Sequence, residues 1–230
     1  MKSRIVRRAT FAVAALGALA TSACDAPVIV VDDRGYNPIA LVPFVYHWAP
    51  GHEVAIFVDT RGEPAGVDIE AAVQKGIDAW KAVGLLGEVR MKIVGDVHDA
   101  DVIVHHAEAP SLITVDTEVC PAPADLGGGR TYFCIQENEA GTVRTTTVLL
   151  LNDGSGGHVK MDVRINVGAI SDLQYFDAIV AHELGHVLGI GSHSPNTSDL
   201  MFGTPRVFVP SADDAAALRY VLSRPAAAQF

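Results

Sequence analysis

The sequence is poor in basic residues. It has 17 Lys and Arg against 27 Asp and Glu, which gives a formal net charge of −10. Nucleic acids and anionic lipids are bound mainly through clustered Lys and Arg, and no such cluster follows the amino-terminal segment. The sequence also lacks internal repeats, and its Gly-rich runs at 127–129 and 154–157 are not followed by the Lys-Ser/Thr pair of a phosphate loop. These absences argue against nucleic acid, anionic lipid surfaces and nucleotides as the main partners.

The apolar run near the amino terminus is too short to cross a bilayer. Residues 11–20 are uncharged and apolar, whereas a transmembrane helix needs about 20 such residues. An amphipathic amino-terminal helix is the alternative, but the run is apolar on all sides. A basic segment precedes it, which is the arrangement of a signal peptide. We therefore predict that residues 1–24 are an export signal and that the protein is secreted, extracellular or periplasmic. The basic residues are Lys2, Arg4, Arg7 and Arg8.

Cysteine is scarce as well, with three in the chain. Cys120 and Cys134 flank a Pro- and Gly-rich loop, and we predict a disulfide between them in an oxidising compartment, with two buried thiols as the alternative. Closing this loop would add about 3 kcal/mol to the free energy of unfolding. Cys24 is left over and follows residues 21–23, which resemble a bacterial lipoprotein box. We treat Cys24 as a candidate lipidation site and membrane anchor, whereas residues 18–20 resemble an ordinary signal-peptidase site.

The rest of the chain has the size and the 49% hydrophobic content of one globular domain. Residues 25–52 contain four prolines and few periodic signals, so we predict a linker or a strap over the domain. We assign 53–224 to the domain and 225–230 to a tail, and nothing in the sequence suggests an oligomer, so we expect a monomer.

Hydrophobic periodicity predicts about five strands and three helices. Asp68 is expected to begin a helix that ends at Gly84, with one apolar face. Ser211 and Asp214 form a short version of a capping box for the last helix. That apolar face consists of Ile69, Val73, Ile77, Trp80 and Val83. The predicted strands are 54–58, 89–93, 101–105, 145–151 and 161–167, and the helices are 68–84, 175–188 and 211–222.

The segment 181–189 contains the pattern His-Glu-x-x-His. Residues four apart lie on one face of a helix, so His182 and His186 can bind one ion. A hydrolytic zinc takes three protein ligands and an open position for water, whose pKa it lowers towards about 7. Glu183 can then act as the general base that accepts a proton and later donates it to a leaving amine. The pattern predicts zinc-dependent amide hydrolysis.

The third ligand must come from outside this pattern. No glutamate occurs after Glu183, which disfavours the zinc peptidases whose third ligand is a downstream Glu. Gly189 allows the chain to leave the helix in a conformation that other residues resist, and His193 follows four residues later. We predict His193 as the third ligand, with Asp199, or less plausibly Asp213, as the alternative.

The run from 182 to 201 resembles the metzincin clan of zinc peptidases, in particular its matrixin (matrix metalloproteinase-like) branch. One extra residue separates Gly189 from His193, so that Ser192 stands at the usual position of the third histidine. Ser194 follows His193 and Met201 lies eight residues after it, as in matrixins. Four positions match the family pattern residue for residue: His182, Glu183, His186 and Gly189.

The resemblance implies an α+β, zincin- or metzincin-like fold. It would comprise a mixed sheet of about five strands, a backing helix, an active-site helix, a methionine turn with Met201 beneath the metal, and a C-terminal helix. It also implies one catalytic Zn²⁺. The cysteine-switch propeptide of the family is not visible, since no cysteine ahead of the domain has the required context. Some matrixins bind additional structural zinc or calcium, but the corresponding residues here do not match, and we interpret them as solvated strand ends: His98, Asp99, Asp101, His105 and His106.

Together these observations predict an exported zinc-dependent endopeptidase that acts on protein or peptide substrates. One alternative is a catalytically inactive zinc-binding or adhesion module of the same fold, in which the metal stabilises the structure. Glu183 favours the enzyme, because a purely structural metal site has no use for a general base. A second alternative is an enzyme that uses Asp199 as the third zinc ligand.

Overall fold

The fold is taken from a computed structural model. It describes residues 36–42, 44–84, 87, 89–109, 124–127, 130–140, 142–150, 160–226 and 228–229. The predicted export signal, Cys24 and Cys120 lie outside the described residues, so the predictions made for them stay predictions.

A mixed β-sheet forms the centre of the described part of the chain. Its seven strands have the order β3-β2-β4-β8-β7-β6-β5, and a separate parallel pair joins β1 and β9. The first four strands of this order pair in parallel, and the remaining pairs are antiparallel. The strands are β1 (Tyr46–His47), β2 (Val54–Asp59), β3 (Met91–Val94), β4 (Val102–His106), β5 (Ala124–Gly127), β6 (Arg130–Glu139), β7 (Thr142–Leu150), β8 (Met161–Ile165) and β9 (Ala228–Gln229).

Three α-helices accompany the sheet in the described residues, and the α+β class predicted from the sequence is confirmed. Five strands and all three helices occur close to their predicted positions. The prediction of about five strands was too low, because β5 and β6 extend the sheet beyond β7. The helices are α1 (Ile69–Val83), α2 (Phe176–Val187) and α3 (Ala212–Leu222), and short 3₁₀ turns occupy Val97–Asp99, Val167–Ala169 and Leu173–Tyr175.

Helix α1 supports helix α2 from behind. Asp68 caps α1 by accepting a hydrogen bond from the Ala71 N–H, and α1 ends at Gly84 as predicted. The indole N–H of Trp80 donates to the Ala181 carbonyl oxygen at 2.8 Å. A Cβ atom on Gly76 would lie 2.8 Å from Leu184 Cδ1, so the two helices approach closely at this glycine. The position of α2 is therefore fixed by the packing of α1.

The segment before β2, predicted as a linker or strap, contacts the other end of α2. The Tyr46 hydroxyl donates to the His186 carbonyl oxygen at 2.8 Å. The Trp48 indole N–H donates to the Val187 carbonyl oxygen, also at 2.8 Å. Carbonyl groups in the last turn of a helix have no partner within the helix. This segment supplies two of the missing donors.

The interpretation of His105 and His106 as solvated strand ends is wrong, since both side chains are buried. β4 and β8 are interior strands of the sheet, where both faces are covered by protein. His105 Nε2 lies 2.8 Å from the carboxylate of Asp162, which also accepts a hydrogen bond from Arg164 Nε. The buried charge of Asp162 is thereby paired.

Within the described residues, none of the helices has the length and apolar character that a membrane span requires.

Candidate metal centre

Helix α2 presents His182 and His186 on one face, four residues apart, and both side chains are fully buried. His182 Nδ1 lies 2.7 Å from the Leu200 carbonyl oxygen, and His186 Nδ1 lies 2.6 Å from the Ile190 carbonyl oxygen. A carbonyl oxygen only accepts hydrogen bonds, so each Nδ1 must carry the proton. In the neutral form of each imidazole, Nε2 is then the nitrogen whose lone pair can bind a metal.

Gly189 turns the chain at the end of α2. Its φ angle is +114°, a value that residues with a side chain rarely adopt. The Gly189 N–H donates to the His186 carbonyl oxygen, and the Ile190 N–H donates to the Gly185 carbonyl oxygen, which is the Schellman pattern of a helix end. A Cβ atom on Gly189 would lie 2.5 Å from the Tyr46 carbonyl oxygen. Both the turn and the neighbouring segment therefore require glycine here.

The turn returns His193 to the two helical histidines. The ring centroids of His182 and His186 are 4.9 Å apart, and that of His193 lies 5.3 and 5.4 Å from them. Despite the extra residue after Gly189, the His193 ring therefore lies beside the rings of His182 and His186. Asp199, the alternative ligand, instead accepts a hydrogen bond from the Ser194 hydroxyl. The structure brings the three predicted histidines together.

A fourth residue of the cluster, Glu137 on β6, was not predicted from the sequence. One potential ligand atom from each of the four side chains lies within 4.8 Å of the others. Glu137 Oε1 is 2.5 Å from His182 Nε2, 2.8 Å from His193 Nε2 and 3.3 Å from His186 Nε2. The three imidazoles therefore converge on one carboxylate oxygen. This buried set of donors could hold a metal ion.

Arg144 on β7 holds the other oxygen of Glu137. Its guanidinium is 1% exposed and forms an ion pair with Glu137 Oε2. It also donates to the Gly203 carbonyl oxygen at 3.0 Å. A buried charge is tolerated when it is paired and hydrogen-bonded. The orientation of the Glu137 carboxylate is thus fixed by β7 and by the loop after Met201.

The protonation of the cluster follows from its burial and its charges. Burial acts to raise the pKa of Glu137, but the charge of His182 and hydrogen bonds from the three histidines hold it well below its usual range. Burial acts to lower the pKa of His182, yet the Glu137 carboxylate raises it to about 9. Burial lowers the pKa of His193. Without metal, a proton on His182 adds to Arg144 as a positive charge beside Glu137, and a bound cation would take the place of that proton.

Glu183, the predicted general base, is buried on α2 beside the central strands. Its Oε2 accepts a hydrogen bond from the Thr147 hydroxyl of β7 at 2.8 Å, and its Oε1 has no hydrogen-bond partner among the described residues. A buried carboxylate oxygen without a partner is costly unless a water or an ion satisfies it. Glu183 therefore has one oxygen fixed and one oxygen available for a proton.

Met201 lies under α2, fully buried, where Gly185 leaves room for its sulfur. The turn that carries it is held by Asp214, whose carboxylate accepts hydrogen bonds from the Leu200 and Met201 N–H groups at 2.8 and 3.1 Å. The Ser194 N–H donates to the Met201 carbonyl oxygen at 2.7 Å. This turn therefore links α3 to the loop that bears His193.

The donor set of the cluster is compatible with zinc. Two imidazoles are oriented by Nδ1–H bonds to carbonyl oxygens, which is the outer-shell arrangement typical of metal-binding histidines. Three nitrogens and a carboxylate oxygen are donors that zinc accepts. The unpartnered Glu183 Oε1 marks a buried polar position nearby on the same helix. These residues could hold a divalent metal ion, and zinc fits the donor set.

Glu137 and Arg144 had no local signal in the sequence, since they are separated from the His-Glu-x-x-His segment by more than 30 residues. Most of their immediate neighbours in β6 and β7 are also polar, so the local sequence did not distinguish them. Cys134 is fully buried on β6, and its pairing with Cys120 stays a prediction.

No protein-family model matches the chain, and none of the curated proteins matches it significantly. The metzincin resemblance therefore depends on the motif residues themselves and on the geometry described above.

Proposed function

We propose that the protein is a zinc-dependent endopeptidase of the metzincin type. The observation that carries this proposal is the convergence of three imidazoles, two buried ones from one helix and a half-buried one from beyond its glycine turn, on a single point. His182, His186 and His193 would hold the ion. Bound zinc would supply a Lewis acid and lower the pKa of water towards about 7.

Glu183 would move the proton in this reaction. Thr147 fixes one oxygen of its carboxylate by a 2.8 Å hydrogen bond and leaves Oε1 available. A carboxylate in this state can accept a proton from water and transfer it to the amine that leaves when the peptide bond breaks. A metal site that serves only stability needs no such group, which favours the enzyme over an inactive zinc-binding or adhesion module.

Zinc content and proteolysis of the chain without its predicted export signal test this function. Cleavage of a fluorescent unfolded protein is measured for the native chain and for Glu137→Gln, because Glu137 lies at the point of convergence. We expect one equivalent of zinc per chain. When Glu183→Gln is introduced into the native chain or into Glu137→Gln, zinc should stay bound and cleavage should be abolished. If none of the chains cleaves the protein while zinc is bound, the endopeptidase proposal is wrong.

Export and lipid attachment at Cys24 are part of the same proposal. They are supported by the sequence alone. An endopeptidase outside the cytoplasm would meet protein or peptide substrates there. If Cys24 carries a lipid anchor, the Cys24→Ser variant is expected to be released from the membrane fraction. A variant that stays in that fraction would rule out attachment at Cys24.

A further inference from the structure

The Glu137 carboxylate lies where a hydrolytic metal site would be open. A catalytic zinc takes three protein ligands and leaves the fourth position to water, whereas a zinc with four protein ligands is typical of closed, structural sites. Here a fourth protein donor, Glu137 Oε1, lies within 3.3 Å of all three Nε2 atoms. The three histidines and Glu183 indicate an enzyme, but Glu137 would close the site.

The position of Glu137 is built into strands β6 and β7. Glu137 pairs with Thr145, and the next pair is Asn138 with Val143, so that Arg144 is an extra residue of β7 at a β-bulge. Bulges redirect side chains and are frequent next to active sites. Arg144 pairs with Glu137 Oε2 and donates to the Gly203 carbonyl oxygen. These contacts hold the carboxylate independently of the histidines.

Strand β6 also covers an edge that a peptide could use. Extended peptides commonly bind by adding a strand to a free sheet edge. β7 is the strand next to the catalytic residues, because Thr147 contacts Glu183 at 2.8 Å. β6 pairs with β7 from Tyr132 to Glu139. The chain's own strand therefore fills the edge beside the metal ligands.

We propose that Glu137 is a fourth protein ligand of the metal ion and that it keeps the site closed until β6 withdraws from β7 at this point. The ion is a divalent cation bound by three imidazole nitrogens and one carboxylate oxygen. The ligation itself needs only the geometry of the cluster. The requirement for withdrawal rests on the proposed endopeptidase function.

Cobalt(II) substituted into the full domain tests the ligation, because its visible absorption bands report coordination number and donor atoms. Glu137→Gln and Glu137→Ala are compared with the native chain and with Glu139→Gln. Glu139 is the matched control, since it lies on the same strand at 3.8 Å from Arg144 Nη1 and bonds to Ser171. Both Glu137 variants should change the cobalt bands and lower zinc affinity about tenfold or more, whereas Glu139→Gln should change neither. Bands and affinity that are unchanged in both Glu137 variants would show that the carboxylate moves aside for the metal, which overturns the proposal.

A measurement on the native chain avoids dependence on the folding of a variant. Acetohydroxamate binds an open metal through two oxygens and shifts cobalt bands. It should leave the native spectrum unchanged at concentrations that shift the Glu137→Gln spectrum. A native chain that binds acetohydroxamate as tightly as the variant would contradict a closed site. Far-ultraviolet circular dichroism of each chain confirms that the fold is retained.

Cleavage of the fluorescent unfolded protein tests the withdrawal. An open form that is a minor state of the native chain makes up at most about a tenth of the population, so Glu137→Gln should cleave about tenfold faster or more. Equal or slower cleavage by Glu137→Gln, together with changed cobalt bands, would overturn the withdrawal and leave the ligation supported. Absence of cleavage in every chain would overturn the endopeptidase function and the withdrawal with it, while the cobalt bands still decide the ligation.

Discussion

Gly185 lies on α2 between His182 and His186, and the absence of a side chain there allows two large residues to reach the helix. A Cβ atom at this position would lie 2.8 Å from Trp80 Cζ2 and would also overlap Met201 Sδ. Protein interiors are packed so closely that one additional methyl group must displace its neighbours. The space under the metal site is therefore set by a single glycine.

The Gly185→Ala variant is expected to be destabilised by about 1–3 kcal/mol, since overpacking forces side chains and backbone to shift. Urea unfolding followed by tryptophan fluorescence measures the effect. Gly95→Ala is the matched control, because a Cβ atom there would contact nothing within 4 Å. Equal unfolding midpoints for the native chain and Gly185→Ala would contradict the close contact of Met201 with α2.

Substitution of His193 and Asp199 distinguishes the two candidates for the third metal ligand. His193 Nε2 belongs to the converging cluster, whereas Asp199 accepts hydrogen bonds from Ser194 and Asn196. We expect His193→Ala to lose most bound zinc and Asp199→Asn to keep it. Zinc is measured after dialysis by mass spectrometry of the metal. Loss of zinc in Asp199→Asn with retention in His193→Ala would reject the assignment.

At this scale the sequence was informative where the residues of the cluster are close in the chain. His182 and His186 are related by one helical turn, and His193 follows a glycine that ends the helix, so local rules were sufficient to predict that the three histidines lie together. Glu137 reaches the same point from a strand 45 residues earlier than His182. No local pattern encodes that contact, because it depends on the pairing of β6 with β7 and on the bulge at Arg144.

Asp214, in the first turn of α3, has two structural roles. Ser211 caps the helix and Asp214 completes the capping box through the Ser211 N–H. Asp214 also accepts the N–H groups of Leu200 and Met201. Burial raises the pKa of Asp214, while these N–H groups act to lower it. The helix cap and the turn that carries Met201 are thus connected through one carboxylate.

Substitutions at the two capping residues should therefore differ in effect. Ser211→Ala removes a cap and is expected to cost about 1 kcal/mol. Asp214→Ala also leaves two buried N–H groups without an acceptor, and it is expected to cost about 3 kcal/mol or more. Chemical unfolding of both variants under identical conditions gives the comparison. Similar losses of stability would show that the turn that carries Met201 does not depend on Asp214.

The elements that the sequence predicted correctly are those with a local pattern. α1 has an apolar face and a capping aspartate, and β8 alternates strictly. β6 was missed because its buried stretch, Tyr132 to Ile135, is continuously apolar and is followed by polar residues of which Glu137 is buried. Burial of that carboxylate is possible only with Arg144 and the histidines around it. The full extent of the sheet was therefore not predictable from local patterns, because it depends on contacts between residues that are distant in the sequence.

For the whole molecule, the buried pair of His105 and Asp162 predicts how stability changes in acid. Burial acts to raise the pKa of Asp162, but hydrogen bonds and charges of His105 and Arg164 lower it below its usual value. The folded state therefore binds this proton less readily than the unfolded chain, whose aspartates have a pKa of about 3.9. The stabilisation is present above that pH and is lost as the pH falls through the folded-state value.

Asp162→Asn is accordingly expected to cost about 3–5 kcal/mol at neutral pH, because it removes the buried carboxylate to which both His105 and Arg164 are bonded. The variant should also lose less additional stability than the native chain between about pH 5 and pH 3. Urea unfolding in the presence of a chelator measures both chains without a contribution from metal. Parallel losses in the two chains over this range would show that Asp162 does not contribute.

Removal of the metal should lower the stability of the whole domain. An ion that binds only the folded state adds about 2.7 kcal/mol at a concentration one hundred times its Kd. We expect the melting temperature to rise with zinc and to fall with a chelator, with His193→Ala as a control that responds weakly to either. A native chain whose melting temperature is the same in both conditions would show that no ion links α2 to its following loop.

The pairing of β1 with β9 has a consequence for the order in which the chain folds. Tyr46 pairs with Ala228 and His47 with Gln229, so almost the whole described chain lies between the partners. Contacts between residues so distant in sequence close a large loop and form slowly. A chain that emerges from a ribosome or a translocation channel therefore cannot complete the pairing of β1 with β9 until residue 229 has appeared. The three histidines and Glu137 all precede residue 229, so this cluster can assemble before β1 pairs with β9.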